Sequence, residues 1–151
     1  MRSLIRIIIT ITTLLCTSTY NCCAQNKKWT SKEAMSKVGE FFYSSTDSAS
    51  FFLHYLIDLK EQDTLIAKHY NNLGLLYSRN QKDSAIFYYT KSIQLGTSKN
   101  RLSTMLNLAN IYKNNRNFSQ SLALLEKVVA GYEELGNQKG IGSAYGVMGS
   151  V

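Results

Sequence analysis

Residues 70–95 read YNNLGLLYSRNQKDSAIFYYTKSIQL. Tyr70, Leu73, Gly74 and Tyr77 recur at spacings of three and four, which puts them on one face of an α-helix. Ala85, Ile86, Tyr89, Ser92 and Ile93 repeat the pattern. The residues between, SRNQKDS, are polar and few, as a tight reversal requires. The stretch therefore predicts two amphipathic helices folded into a hairpin. So small a unit cannot bury both apolar faces by itself, and it demands neighbours of its own kind.

Those neighbours can be read outward from it. Upstream, a helix over 32–44 carries Met35, Val38, Gly39, Phe42 and Tyr43. The turn SSTDS follows, then a helix over 49–60 with Ala49, Phe52, Leu53, Leu56 and Ile57 on its buried side. Ser31 is placed to cap the first of these helices. Downstream, a third hairpin over 102–135 carries Met105, Leu108, Ala109 and Tyr112, then the turn KNNRNF. Its second helix carries Ser121, Leu122, Leu125, Val128, Val129 and Tyr132. A last helix is expected from Gly142, with an uncovered apolar face of Tyr145, Val147, Met148 and Val151.

The period can be counted. A small residue in each first helix falls at Gly39, Gly74, Ala109 and Gly149, in steps of 35, 35 and 40. A small residue in each second helix falls at Ala49, Ala85 and Ser121, in steps of 36 and 36. Smallness at a fixed period marks where paired helices cross, because a larger side chain would hold them apart. The aromatics three residues on, Phe42, Tyr77 and Tyr112, are expected to fill the groove beside each crossing.

This pattern resembles the tetratricopeptide repeat, a helix-turn-helix unit of about 34 residues. Leu73-Gly74, Tyr77, Ala85, Tyr89 and Ser92 stand at matching positions, and Tyr70 at the first aromatic. The resemblance covers residues 32–151, as units at 32–61, 67–96, 102–136 and a partial one at 142–151. It departs from the family in its shortened turns, in Val128 at a usually small position, and in having no proline after the second helices. It implies an all-α fold, a right-handed superhelical solenoid of antiparallel helix pairs. It also implies a non-enzymatic protein- or peptide-binding module whose first helices line a concave groove.

Carried onto this chain, the groove residues are Lys68, Asn71, Leu75, Ser78 and Arg79 in the middle unit. The next unit supplies Ser103, Leu106, Asn110, Lys113 and Asn114. The first unit supplies Glu33, Ser36, Glu40, Tyr43 and Ser44. Lys68, Arg79 and Lys113 together suggest a partner with acidic or carboxylate groups. Asparagine is a middling helix former, so a helix face rich in it asks for a reason. Most aromatics fall at packing positions, with Phe51, Phe87 and Tyr88 the candidates for exposure or for contact with the next unit.

The first 24 residues have a different character. MRSLIR is basic, IIITITTLL is apolar, and the stretch closes on small and polar residues ending CCA. That is the pattern of a secretory signal peptide, with cleavage expected after Ala24. A retained anchor, or lipid on Cys16 or Cys22, is the alternative. Residues 25–31 read as a polar leader. All three cysteines lie before residue 25, so the mature chain has no thiol chemistry. Without Arg2 and Arg6 the net charge falls from +7 to +5, spread as single residues over a solvated surface rather than as a nucleic-acid stripe. His54 and His69 lack the spacing of a metal pair, and neither a metal nor a cofactor is expected.

The expected protein is thus exported, periplasmic or bound to the cell envelope. The resemblance extends to exported repeat regions of bacterial sensory proteins, with a membrane tether at an uncleaved N-terminus or in a segment beyond residue 151. The alternative is an envelope scaffold or oligomerisation module without a signalling role.

Overall fold

The computed structural model describes residues 28–151. The signal-peptide pattern over 1–24 and the first residues of the leader lie outside the described residues. Residues 28–30 have no regular structure, and Ser31–Val151 form a compact unit of their own. Its helices are α1 (Ser31–Phe41), α2 (Thr46–Asp58), α3 (Asp63–Tyr77), α4 (Lys82–Leu95), α5 (Ser98–Asn114), α6 (Phe118–Glu134) and α7 (Gln138–Met148). None of the described helices is long and apolar enough to cross a membrane.

Each helix packs against the next in sequence, which makes the unit an all-α solenoid of consecutive helix-turn-helix repeats. Two further contacts join the first helices of successive units, α3 to α5 and α5 to α7. The corresponding contact between α1 and α3 is absent: no Cα atoms of these two helices come within 8 Å. The first hairpin is joined to the rest chiefly through α2, with Arg79 lying over the Tyr43 ring at 5.0 Å.

With no proline in the chain, the helices end by other means. Ser45 caps α2, its hydroxyl accepting from Ser48 N at 3.3 Å, so α2 starts at Thr46 rather than at Ala49. Asn137 caps α7 in the same way through Gly140 N at 3.0 Å, which moves the start of α7 from Gly142 back to Gln138. Helix α1 stops at Phe41, three residues short of the expected Ser44. Ser31 does not serve as a cap; it is the first residue of α1, and its hydroxyl donates to the Glu61 carboxylate. The ends of α5 and α6 share one device. Asn117 N donates to Tyr112 O at 2.8 Å and Asn137 N to Tyr132 O at 2.8 Å, each closing over a residue with positive φ. That residue is Arg116 (φ 61) in one turn and Gly136 (φ 62) in the other.

The crossing positions hold in part. Ala49, Ala85 and Ser121 are all fully buried, as the 36-residue step requires. Gly74 is needed where it stands: a Cβ there would lie 2.5 Å from the Tyr89 ring. Ala109 is fully buried, and its carbonyl accepts from Ser121 Oγ at 2.9 Å across the helix pair. Gly39 and Gly149 do not belong to the set. A Cβ on Gly39 would meet nothing within 4 Å, and Gly149 lies beyond the end of α7. In the last unit Ala144, 35 residues after Ala109, is buried in that place, and in the first unit Val38 is buried at the position of Leu73 and Leu108. Gly39 itself is exposed.

The core runs along the spine of the hairpins. Ala85 and Tyr89 of α4 pack with Leu108 and Ile111 of α5. Leu102, Leu125, Val128, Tyr132 and Ala144 form the next cluster. Val147, Met148 and Val151 pack against this cluster, so of the expected apolar face on α7 only Tyr145 stays exposed. Phe41 stacks on Phe52 at 6.2 Å, which closes the first hairpin. Phe51 and Phe87 are exposed. Tyr88 lies between neighbours, stacked at 5.4 Å on Tyr77 and hydrogen-bonded at 3.2 Å to His54. Burial raises the Tyr88 pKa, with smaller contributions from Tyr77 and Tyr70.

Candidate functional site

Helices α3 and α5 are tied by side chains. Asn71 Oδ1 accepts from Asn107 Nδ2 at 3.1 Å and from Thr104 Oγ1 at 3.3 Å. Thr104 is itself buried, 3.2 Å from Ser92 Oγ of α4 and 3.0 Å from the carbonyl of Asn100. This polar knot fixes the spacing of the two first helices. It also commits the Asn71 oxygen and leaves its amide NH2 as a donor.

Beside the knot, where α1 stands away from α3, lies a cavity of about 340 Å³. Helix α3 supplies Lys68, His69, Asn71 and Asn72 to its wall, with Leu65 and Ala67. The opposite wall is Asn100, Ser103 and Thr104 of α5, with Ser92 of α4. Met35 of α1 forms the remaining edge. The lining surface is mostly apolar, and Lys68 is its one charged side chain. His69 is 7% exposed and its Nδ1 has no hydrogen-bond partner. Burial lowers the His69 pKa below the usual imidazole value; Glu61 works against that shift and Lys68 with it. The ring is therefore neutral at pH 7.

Of the groove residues carried over by resemblance, Lys68, Asn71 and Ser103 meet at this cavity. The others do not. Leu75 is exposed, and Ser78 Oγ donates to its carbonyl at 2.7 Å. Leu106 packs into the core cluster of α5, α6 and α7, and Asn110 Nδ2 donates to its carbonyl at 3.2 Å. Asn114 is the exposed last residue of α5. In the first unit Glu40 pairs with Lys37 at 2.6 Å, while Ser36 and Tyr43 are exposed.

Nor do the three cations gather. Arg79 lies over the Tyr43 ring at 5.0 Å, and Lys113 donates to Ser150 Oγ at 3.0 Å. Lys68 is eleven residues before Arg79, roughly 16 Å away at the helical rise. Each has its own surroundings, so the three do not form one clamp for a carboxylate.

The other lining residues, among them Met35, His69, Asn72, Asn100 and Thr104, were not assigned to it by the repeat pattern. A signal for two of them exists. His69 and Thr104 are 35 residues apart, polar side chains at one position of successive units, and both are buried. A polar residue repeating where the pattern calls for core marks a place that packing alone does not explain.

A family model described as "Tetratricopeptide repeat" matches residues 101–135, which span nearly all of α5 and α6. This is a tetratricopeptide-like repeat fold. An uncharacterised protein of Porphyra purpurea, ycf37, is 35% identical over 75 residues. The match takes in 49% of this chain and 42% of that protein, so this chain covers less than half of the relative's length. The tetratricopeptide-like fold is a non-catalytic scaffold for protein contacts. Among the described residues no three His, Cys, Asp or Glu side chains are grouped to hold a metal ion.

Proposed function

We propose that the chain binds an extended segment of another protein or peptide in the cleft formed by α1, α3 and α5. One observation carries this reading. Asn72 and Asn100 line the cavity, and neither side chain is engaged in a hydrogen bond within the described fold, while Asn71 retains a free NH2. Side-chain amides can donate and accept at once, which suits them to the alternating N–H and C=O groups of an extended backbone. Lys68 at the same cavity adds affinity for an acidic neighbour.

The wider role proposed is sensory: an exported repeat region that passes on the presence of its bound partner. Its support is the signal-peptide pattern of residues 1–24. A purely structural role as an envelope scaffold predicts lasting assembly rather than reversible capture.

The test is a peptide array probed with the chain, followed by affinity measurements on Asn72→Ala, Asn100→Ala and Lys127→Ser. Lys127 is exposed on α6, away from the cavity residues. The two asparagine variants should each weaken binding about tenfold, a loss of roughly 1.4 kcal/mol. Equal affinities in all three variants would sink the cleft as the binding surface. Mass measurement of the cell-envelope fraction addresses export: an intact N-terminus on soluble protein in the cytoplasm would end that part of the reading.

A further inference from the structure

One repeat further along the chain, the place of this cavity is filled. Leu102 and Val128 are buried there and pack in one cluster with Tyr132 and Ala144, which joins α5, α6 and α7. In the middle unit the same positions, at steps of 35 and 36, hold Ala67 and Ser92, and both line the cavity. In the first unit the residue 36 before Ser92 is Leu56, again aliphatic and buried. Against Leu102 and Val128, Ala67 and Ser92 lack about four heavy atoms, roughly the bulk of one leucine or methionine side chain. The space so left reaches solvent past Met35, Lys68 and Ser103, all exposed.

The floor of the cavity asks for nothing polar. Ser92 Oγ and Thr104 Oγ1 lie 3.2 Å apart, and Thr104 Oγ1 is also within 3.0 Å of the Asn100 carbonyl. With these hydroxyls paired and the lining surface mostly apolar, a group entering the cavity gains by shedding water from carbon. A polar side chain of the same length would give up its own water and find those hydroxyls already engaged. The rim differs from the floor. Lys68 is exposed there and makes no ion pair among the described residues.

We propose that the cavity is the anchor pocket of the cleft: it takes a leucine or methionine side chain of the bound segment, with an acidic residue beside it at Lys68. The anchor stands where Leu102 and Val128 stand one unit later. It rests on the cleft being the binding surface and specifies the residue class that the floor accepts. Met35, at the open edge, is unbranched and flexible, which suits it to fold over the entering group. A cavity of about 340 Å³ has room for one such side chain and the backbone that bears it.

The experiment is an NMR titration of the full chain with three capped peptides: acetyl-Glu-Leu-Glu-amide, acetyl-Glu-Ala-Glu-amide and acetyl-Gln-Leu-Gln-amide. The first should shift the signals of Ala67, Ser92 and Thr104 and bind about tenfold tighter than the alanine peptide, as burial of the extra carbons requires. It should bind about threefold tighter than the glutamine-flanked peptide, and Lys68→Gln should abolish that second difference alone. Ser92→Leu gives the middle unit the residue of the first and should fill the pocket, so that leucine and alanine peptides bind alike. Should that variant fail to fold, Met35→Ala at the exposed edge should weaken the leucine peptide about threefold and leave the alanine peptide unchanged. Equal binding of the leucine and alanine peptides to the unaltered chain, or no shift at these three residues, would overturn the proposal. Array peptides that respond to Asn72→Ala and Asn100→Ala, yet tolerate alanine at every leucine and methionine, would leave the cleft standing and remove the anchor. Loss of the asparagine effect would remove both.

Discussion

Gly39 and Gly74 stand 35 residues apart in the first helices of neighbouring hairpins, and nothing in their local sequence pattern separates them. A methyl group on Gly74 would sit 2.5 Å from the Tyr89 ring, whereas on Gly39 it would meet nothing within 4 Å. The middle hairpin has traded a side chain on α3 for a large ring on α4. The first hairpin makes no such trade: Gly39 is exposed, and Leu53 stands where the repeat step puts Tyr89. A glycine in a helix therefore reports close approach only if its partner is large, and the partner lies on another helix, outside the reach of local pattern.

The largest effect should come from Gly74→Ala. Tyr89 is 1% exposed and its ring cannot swing away, so overpacking should cost about 3 kcal/mol. Chemical denaturation of the variant checks this. A loss under about 0.5 kcal/mol would mean that the α3–α4 pair separates freely, and the contrast with Gly39 would vanish.

Alkaline pH attacks the same contact from the other side. Burial pushes the Tyr89 pKa up to about 12, against about 10 in an unfolded chain. Between those values the unfolded chain has lost a proton that the folded chain keeps, so stability falls as pH rises. The loss by pH 12 is roughly 2 kcal/mol, and below pH 10 this residue adds no pH dependence. Tyr89→Phe should flatten the alkaline slope, whereas a change at Leu53 should not alter it. An unchanged slope in the phenylalanine variant would place the titration elsewhere, at Tyr88 or Tyr132, whose pKa values burial also raises.

The comparison shows where sequence reading succeeds. The helix pairs and the buried set Ala49, Ala85 and Ser121 follow from periodicity, because burial repeats with the helical turn. The turn lengths do not follow. Ser45 caps α2 early, and a local hydrogen bond of this kind leaves no trace in a hydrophobic pattern. Of the groove residues expected from the repeat register, Lys68, Asn71 and Ser103 lie at the cavity. The cavity as a whole was not legible, since its walls come from four helices, α1, α3, α4 and α5, at once. Lys68, Arg79 and Lys113 have separate surroundings. Tyr43 and Ser150, which engage two of them, come from distant parts of the chain.

A smaller effect of opposite sign should appear at Gly39→Ala. The residue is exposed within α1 with open space around it, so alanine removes a helix-weakening glycine at no steric cost. The expected gain is about 0.5–1 kcal/mol, read from the same denaturation series. A loss instead would show that α1 closes toward α3 in solution and that Gly39 is needed in that closed form.

The smallest effect separates two turns rather than two hairpins. Arg116 and Gly136 close the ends of α5 and α6 with the same hydrogen bonds and nearly the same positive φ. Glycine adopts that conformation freely, while a side chain there costs about 1–2 kcal/mol. Arg116→Gly should recover part of that strain and lose part to the freer unfolded chain, for a net gain of about 0.5 kcal/mol. Gly136→Ala should lose about 1 kcal/mol in the mirror experiment. If Arg116→Gly destabilises instead, the arginine side chain contributes more at the α5–α6 turn than its backbone strain costs, and the two turns would be alike only in their backbone.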